Sequence, residues 1–245
     1  MTGRPTPASR RRLARTASSV ALSAAALLLL AACASAPPTP DWQLSAHSAL
    51  DQSVAAYLRG DSRAAQQDFD RARAEIARTG QVDLLARAEL LRCAARVASL
   101  VFTPCEGFER LRPDTAAPEQ AYAHYLGGTL LPDQVGLLPP AQRVVAALVG
   151  ASANQAGGAD GANTAAALQQ IANPVSRLVA AGVLMQAGRA SPAVIALAVD
   201  TASAQGWRRP LLAWLGVQVQ RAELAGDHDS VERLRRRMGW IQSPA

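Results

Sequence analysis

The chain has no lysine: apart from three histidines, all 25 of its basic residues are arginine. A Walker-type phosphate loop needs its lysine, and Schiff-base or pyridoxal chemistry needs a lysine amine, so both are excluded. Aromatic residues are only 4% of the sequence. The stacking platforms that hold sugars or single strands use aromatic rings, and Trp42, Trp207, Trp214 and Trp240 read better as packing residues between helices. With only His47, His124 and His228, metal or triad chemistry has few participants. No HExxH, CxxC, GxSxG or EF-hand spacing occurs, nor a GxGxxG after a strand. What is abundant is Ala, Leu, Arg, Gln and Val, and most of these are strong helix formers.

The first residues carry Arg4, Arg10, Arg11, Arg12 and Arg15 without an acidic residue, and a run from Thr16 to Ala32 is apolar or small throughout. That is a charged n-region followed by an apolar h-region. The segment ends in Leu30-Ala31-Ala32-Cys33, which resembles the lipobox of bacterial lipoprotein precursors. The resemblance implies a signal peptide over 1–32, a diacylglycerol thioether on Cys33, cleavage before Cys33 and an acyl group on the new amino terminus. Two or more acyl chains anchor a protein stably, at about 0.8 kcal/mol per buried methylene. No Asp follows Cys33, which by the same resemblance favours the periplasmic face of the outer membrane over the inner membrane. Residues 33–41, with Pro37, Pro38 and Pro40, form a semi-rigid tether, because Pro-rich linkers favour polyproline II. Two other readings stay open: a transmembrane anchor, for which the run is short of the ~20 apolar residues needed, and ordinary cleavage after Ala34-Ser35-Ala36.

The formal net charge of +6 misleads, because removal of the five signal-peptide arginines leaves 20 basic against 19 acidic residues. A balanced surface lacks the excess of positive charge that neutralises phosphates, so nucleic acid is not an expected partner. Cys33 aside, Cys93 and Cys105 remain, and an exported protein meets a compartment that permits disulfides. Thr103-Pro104 should end the helix carrying Cys93 and turn the chain back. The pair is then expected to bond, the alternative being two buried free thiols.

Apolar residues recur at three and four residue spacings, the helical period. Breaks at Gly60-Asp61, Gly80, Thr103-Pro104, Pro113 to Pro118, Gly127 to Pro140, Gly150 to Asn163, Asn173-Pro174, Gly188, Gly206 and Gly226-Asp227 cut the chain into roughly ten helices. The expectation is an all-α domain over 42–245 built of antiparallel helix hairpins, with a mobile Gly-rich loop at about 150–163. The first hairpin turns at Gly60 and Asp61 and continues with Ala65, Phe69 and Ala72 on one face. This stretch resembles a tetratricopeptide repeat, although Ala49 stands where that repeat carries a large aromatic. Helix ends at Gly206-Trp207 and Gly239-Trp240, 33 residues apart, echo its period. The resemblance implies hairpins stacked as a tetratricopeptide-like array.

Among polar candidates, His124 sits between Tyr122 and Tyr125 as a base in a cleft or as a half-buried surface histidine. His228 lies in Asp227-His228-Asp229, a cation site or a helix start. Arg233, Arg235, Arg236 and Arg237 complement a helix C-terminus or meet lipid phosphate. The expected function is a non-enzymatic, lipid-anchored periplasmic scaffold whose concave face binds an envelope protein or peptide, with no cofactor beyond the lipid on Cys33. The alternatives are a peptidoglycan-acting enzyme or activator, with Glu106 or Glu109 as acid and base, and a bundle enclosing an apolar ligand.

Overall fold

The computed structural model of the protein describes residues 38–150 and 158–243, without the side chains of 148–150 and 158–160. The signal peptide expected over 1–32, the expected lipidation of Cys33, the tether as far as residue 37 and the centre of the Gly-rich stretch lie outside the described residues. From Asp41 to Gln242 the described residues are mostly helical. The helices are α1 (Asp41–Arg59), α2 (Ser62–Ala77), α3 (Val82–Ala98), a single turn α4 (Glu106–Glu109), α5 (Ala117–Leu126), α6 (Pro140–Gly150), α7 (Gly158–Gln169), α8 (Pro174–Gln186), α9 (Pro192–Ala204), α10 (Arg208–Leu224) and α11 (His228–Gln242). Short 3₁₀ turns occupy Arg112–Asp114 and Pro132–Leu137, and no strand occurs among the described residues. None of their helices is long and apolar enough to cross a membrane.

The α1–α2 hairpin forms where the sequence signals it. Gly60 adopts φ +98°, which a residue without Cβ reaches freely. The Asp61 carboxylate accepts from the Ala64 N–H at 2.9 Å, satisfying one of the orphan donors of α2. Ala65, Phe69 and Ala72 are all buried along α2, with Phe69 and Ile76 meeting Ala46 and Ala88 in a small core. Gly226 and Asp227 repeat the device: Gly226 has φ +70° and Asp227 caps α11 by accepting from the Ser230 N–H at 3.0 Å.

The main core lies around α3 and α8, with α5, α6, α9 and α10 packed about them. Gly182 of α8 faces the last turn of α3, where a Cβ would overlap the Val97 carbonyl. That close approach requires glycine in a helix interior, which ordinarily disfavours it. Gly182→Ala is therefore expected to destabilise the protein by about 1–3 kcal/mol through overpacking, read as a lower midpoint in urea with an unchanged slope. Gly216→Ala on α10, where nothing lies within 4 Å of the new methyl, should leave the midpoint level or raised.

Contacts also join helices distant in sequence. The α10 start returns to α1, with Arg209 Nε donating to the Tyr57 carbonyl at 2.7 Å. In a linear solenoid each repeat touches only its neighbours. Here α3 and α8 lie at the centre of the main core, and α10 also packs on α1.

Three boundaries differ from the sequence reading. The helix carrying Cys93 stops at Ala98, not at Pro104, because Leu100 takes φ +59° and the Val101 N–H closes back on the Arg96 carbonyl at 2.9 Å. This is a Schellman end made with leucine instead of glycine, and the Leu100 side chain packs on the main core. Residues 158–163, expected in the mobile loop, belong to α7; Gly161 is needed there because a Cβ would meet the Ser191 side chain at 2.8 Å. Gly239-Trp240 ends no helix: α11 runs on to Gln242 because Ile241 still packs on the core, while Trp240 is 76% exposed.

Candidate functional site

Cys93, on α3, and Cys105, just before α4, stand at disulfide distance with their Cα atoms 5.9 Å apart, inside the range a bridge requires. The bridge ties Cys105 to α3 and closes the segment between the two cysteines into a loop. Beside it opens a cleft of about 280 Å³. Its floor is Leu90, Val97 and Leu126, its rim carries Phe102 and Thr103-Pro104, and its polar wall is Glu109, Arg112 and His124.

That wall is built from elements the sequence places precariously. The four-residue α4 is held by Phe108, which is fully buried. At Gly107 the backbone lies against the Glu89 carboxylate, so any Cβ would collide with it; Glu89 itself accepts from Arg73 Nε at 3.3 Å. Arg112 then grips Glu109 with two hydrogen bonds of 2.7 Å while its guanidinium lies 4.9 Å from the Phe108 ring centre. The bidentate pair is a strong, oriented form of ion pairing.

The hydrogen bonds also fix His124. Gln134 Oε1 accepts from the Leu131 N–H at 3.2 Å, so it is an acceptor toward His124 Nδ1 as well, 3.0 Å away. Nδ1 must therefore carry a proton. In the neutral ring Nε2 is then the acceptor, and it faces Arg112 Nη1 at 3.4 Å. The chain Glu109–Arg112–His124–Gln134 thus uses the histidine lone pair that a general base would need.

Glu109 is tied into the same network. The hydrogen bonds from Arg112 hold its carboxyl below the usual carboxylate range, whereas a glycosidase-type acid needs a raised value. Because the folded value is depressed, the pair's stabilisation is present above the unfolded value, about 4.3, and is lost as pH falls through the lower folded value. Wild type and Glu109→Gln are thus expected to differ in thermal midpoint at pH 6 and to converge toward pH 3. A constant gap across that range would contradict the assignment. Glu106 lies exposed at the start of α4 and lines no part of the cleft.

The remaining sequence candidates have structural employment. Asp227 spends its carboxylate on the Ser230 N–H and hydroxyl, which holds its carboxyl low, and no metal-ligand cluster occurs among the described residues. Arg235 and Arg236 pair with Glu223 and Glu232, and Arg233 and Arg237 donate to Ser230 and Ser203. The sequence reading missed Phe102, Arg112 and Gln134. The i,i+3 spacing of Glu109 and Arg112 is a signal for their pairing, but nothing local shows that both face His124. No family model matches this chain, and comparison with curated proteins and with solved structures gave no match.

Proposed function

We propose that the protein is a lipid-anchored helical binding module of the bacterial envelope, held through acylated Cys33 at the periplasmic face of the outer membrane. Its hairpins are of tetratricopeptide type, and it is not an enzyme. It takes an apolar side chain of a protein or peptide partner into the cleft beside the Cys93–Cys105 bridge. The observation that carries this reading is the cleft's makeup. It pairs an apolar floor with Phe102 on its rim, 41% exposed, and its acid, cation and histidine are all engaged with one another. A pocket of convergent apolar surface with a few fixed polar groups is what ligand sites are made of, and a buried aromatic anchor is what an interface core provides.

The binding surface in this proposal is the cleft. A bonded Cys93–Cys105 pair supports an oxidising compartment, which agrees with export. The lipid half of the proposal is tested by intact mass and membrane fractionation of the protein expressed in its host. Wild type should carry diacylglycerol and acyl mass on Cys33 and sediment with the outer membrane, and Cys33→Ser should be unacylated. An unacylated, soluble wild type would overturn the anchor.

A further inference from the structure

We infer that the hollow enclosed by α1, α2 and α3 is a binding site for a small phosphate-type dianion. It is lined by Ser53 and Tyr57 from α1, Ser62 and Gln66 from α2, and Arg92 and Arg96 from α3, and holds about 150 Å³. That is roughly ten times the ~15 Å³ needed to admit one water, enough for a tetrahedral oxyanion and its hydration.

The charge there is uncompensated. Arg92 stacks on the Phe69 ring at 4.7 Å and neither pairs with a carboxylate nor donates a hydrogen bond among the described residues. Arg96 gives one Nη to Cys93 Sγ at 3.0 Å and to the Pro104 carbonyl at 3.4 Å, but its buried Nε has no partner. Arg209 closes over the Tyr57 ring at 4.2 Å and donates to Ser62 Oγ at 2.7 Å. Among the described residues none of these three lies within 4.0 Å of a carboxylate oxygen. On the same helices Arg73 and Arg87 do pair, with Glu89 and Glu119. A buried donor left without a partner carries an uncompensated desolvation cost, and an anion in the hollow would remove that penalty.

The donors suit an oxyanion. Guanidinium groups present planar forks that match phosphate and carboxylate oxygens two at a time. Ser62 accepts from Arg209, so its own hydroxyl hydrogen is free to donate. The Tyr57 hydroxyl has no partner among the described residues, and burial pushes its phenol up, keeping it a donor, against the pull of Arg209 and Arg96. Ser53 is not a donor, since it gives its proton to the Ala65 carbonyl at 2.8 Å. Two lining guanidiniums with a third beside them carry more charge than one carboxylate neutralises, which points to a doubly charged group. Arg96 also touches the disulfide turn through Pro104, but the anion site does not depend on the cleft reading.

The test is calorimetric titration of the full-length protein in detergent with inorganic phosphate at pH 8, ionic strength held constant with sodium chloride. Saturable one-site binding is expected. Arg92→Gln and Arg96→Gln should each weaken it about tenfold or more, as loss of a charge-assisted hydrogen bond does, and Arg233→Gln on α11 should leave it unchanged. Against the chance that a variant misfolds, the arginine Nε–H resonances of the ¹⁵N-labelled wild type should show Arg92 and Arg96 shifting as phosphate is added. Absence of saturable binding, unchanged affinity in the folded variants, or still Arg92 and Arg96 resonances would overturn the proposal. Equal binding of acetate would overturn the dianion assignment in favour of a monocarboxylate site.

Discussion

Trp214→Ala is expected to lower the unfolding free energy by about 3–5 kcal/mol, the range for emptying a buried aromatic site. Trp214 is the largest fully buried side chain, at 0% exposure, and it sits where α10 meets the end of α3. Its indole N–H donates to the Ala98 carbonyl at 3.1 Å. That carbonyl is one of the last four of α3, which have no acceptor role inside their own helix. The tryptophan therefore fills the core and satisfies a helix terminus at once. Trp214→Phe separates the two contributions: it keeps most of the volume and strands the carbonyl, for a loss of about 1–3 kcal/mol. Chemical denaturation of the two variants beside wild type reads both. Equal midpoints for Trp214→Phe and wild type would show that the hydrogen bond contributes nothing.

Removal of the Cys93–Cys105 bridge as the double alanine variant should lower stability by about 3 kcal/mol, the chain-entropy value for a closed loop of this order, the two cysteines lying 12 residues apart. For a domain of this size that is a fall of about 2–4 °C in thermal midpoint for each kcal/mol. Reductant should move wild type toward the variant and leave the variant where it is. The bridge also closes the loop that carries Phe102 and Pro104, both of which line the cleft. Insensitivity of wild type to reductant would mean that the turn is held without the bridge.

How far the sequence carries this fold depends on the element. The α1–α2 and α10–α11 turns were legible because their signals are local: Gly60-Asp61 and Gly226-Asp227 each combine a positive φ with an aspartate cap. The end of α3 was not, since its left-handed residue is leucine, and only tertiary burial of the Leu100 side chain makes that conformation worthwhile. Gly239 failed in the opposite sense. A glycine before a bulky residue looks like a helix end, yet the Ile241 contact carries the helix through it. The return of α10 onto α1, and the position of α3 and α8 at the centre, depend on pairs separated by as many as 152 residues, which periodicity does not encode.

The site shows the same division. The Cys93–Cys105 pairing follows from two cysteines and a turn between them. The quenching of His124 and Glu109 by Arg112 requires three segments to converge, and so does the grouping of Tyr57, Arg92 and Arg96. A sequence without lysine hides its basic sites among 25 arginines; only the partner of each, or the lack of one, tells them apart.

The measurement that bears most directly on the proposed anchored binding module is site-specific photocrosslinking in the native host from position 102, within the disulfide cleft, compared with position 224. Leu224 is more exposed than Phe102, at 83% against 41%, but lines no part of the cleft. The account predicts one dominant membrane-associated product from position 102, little from position 224, and loss of that product in the Cys33→Ser background. Equal crosslinking from both positions, or none from position 102, would contradict it.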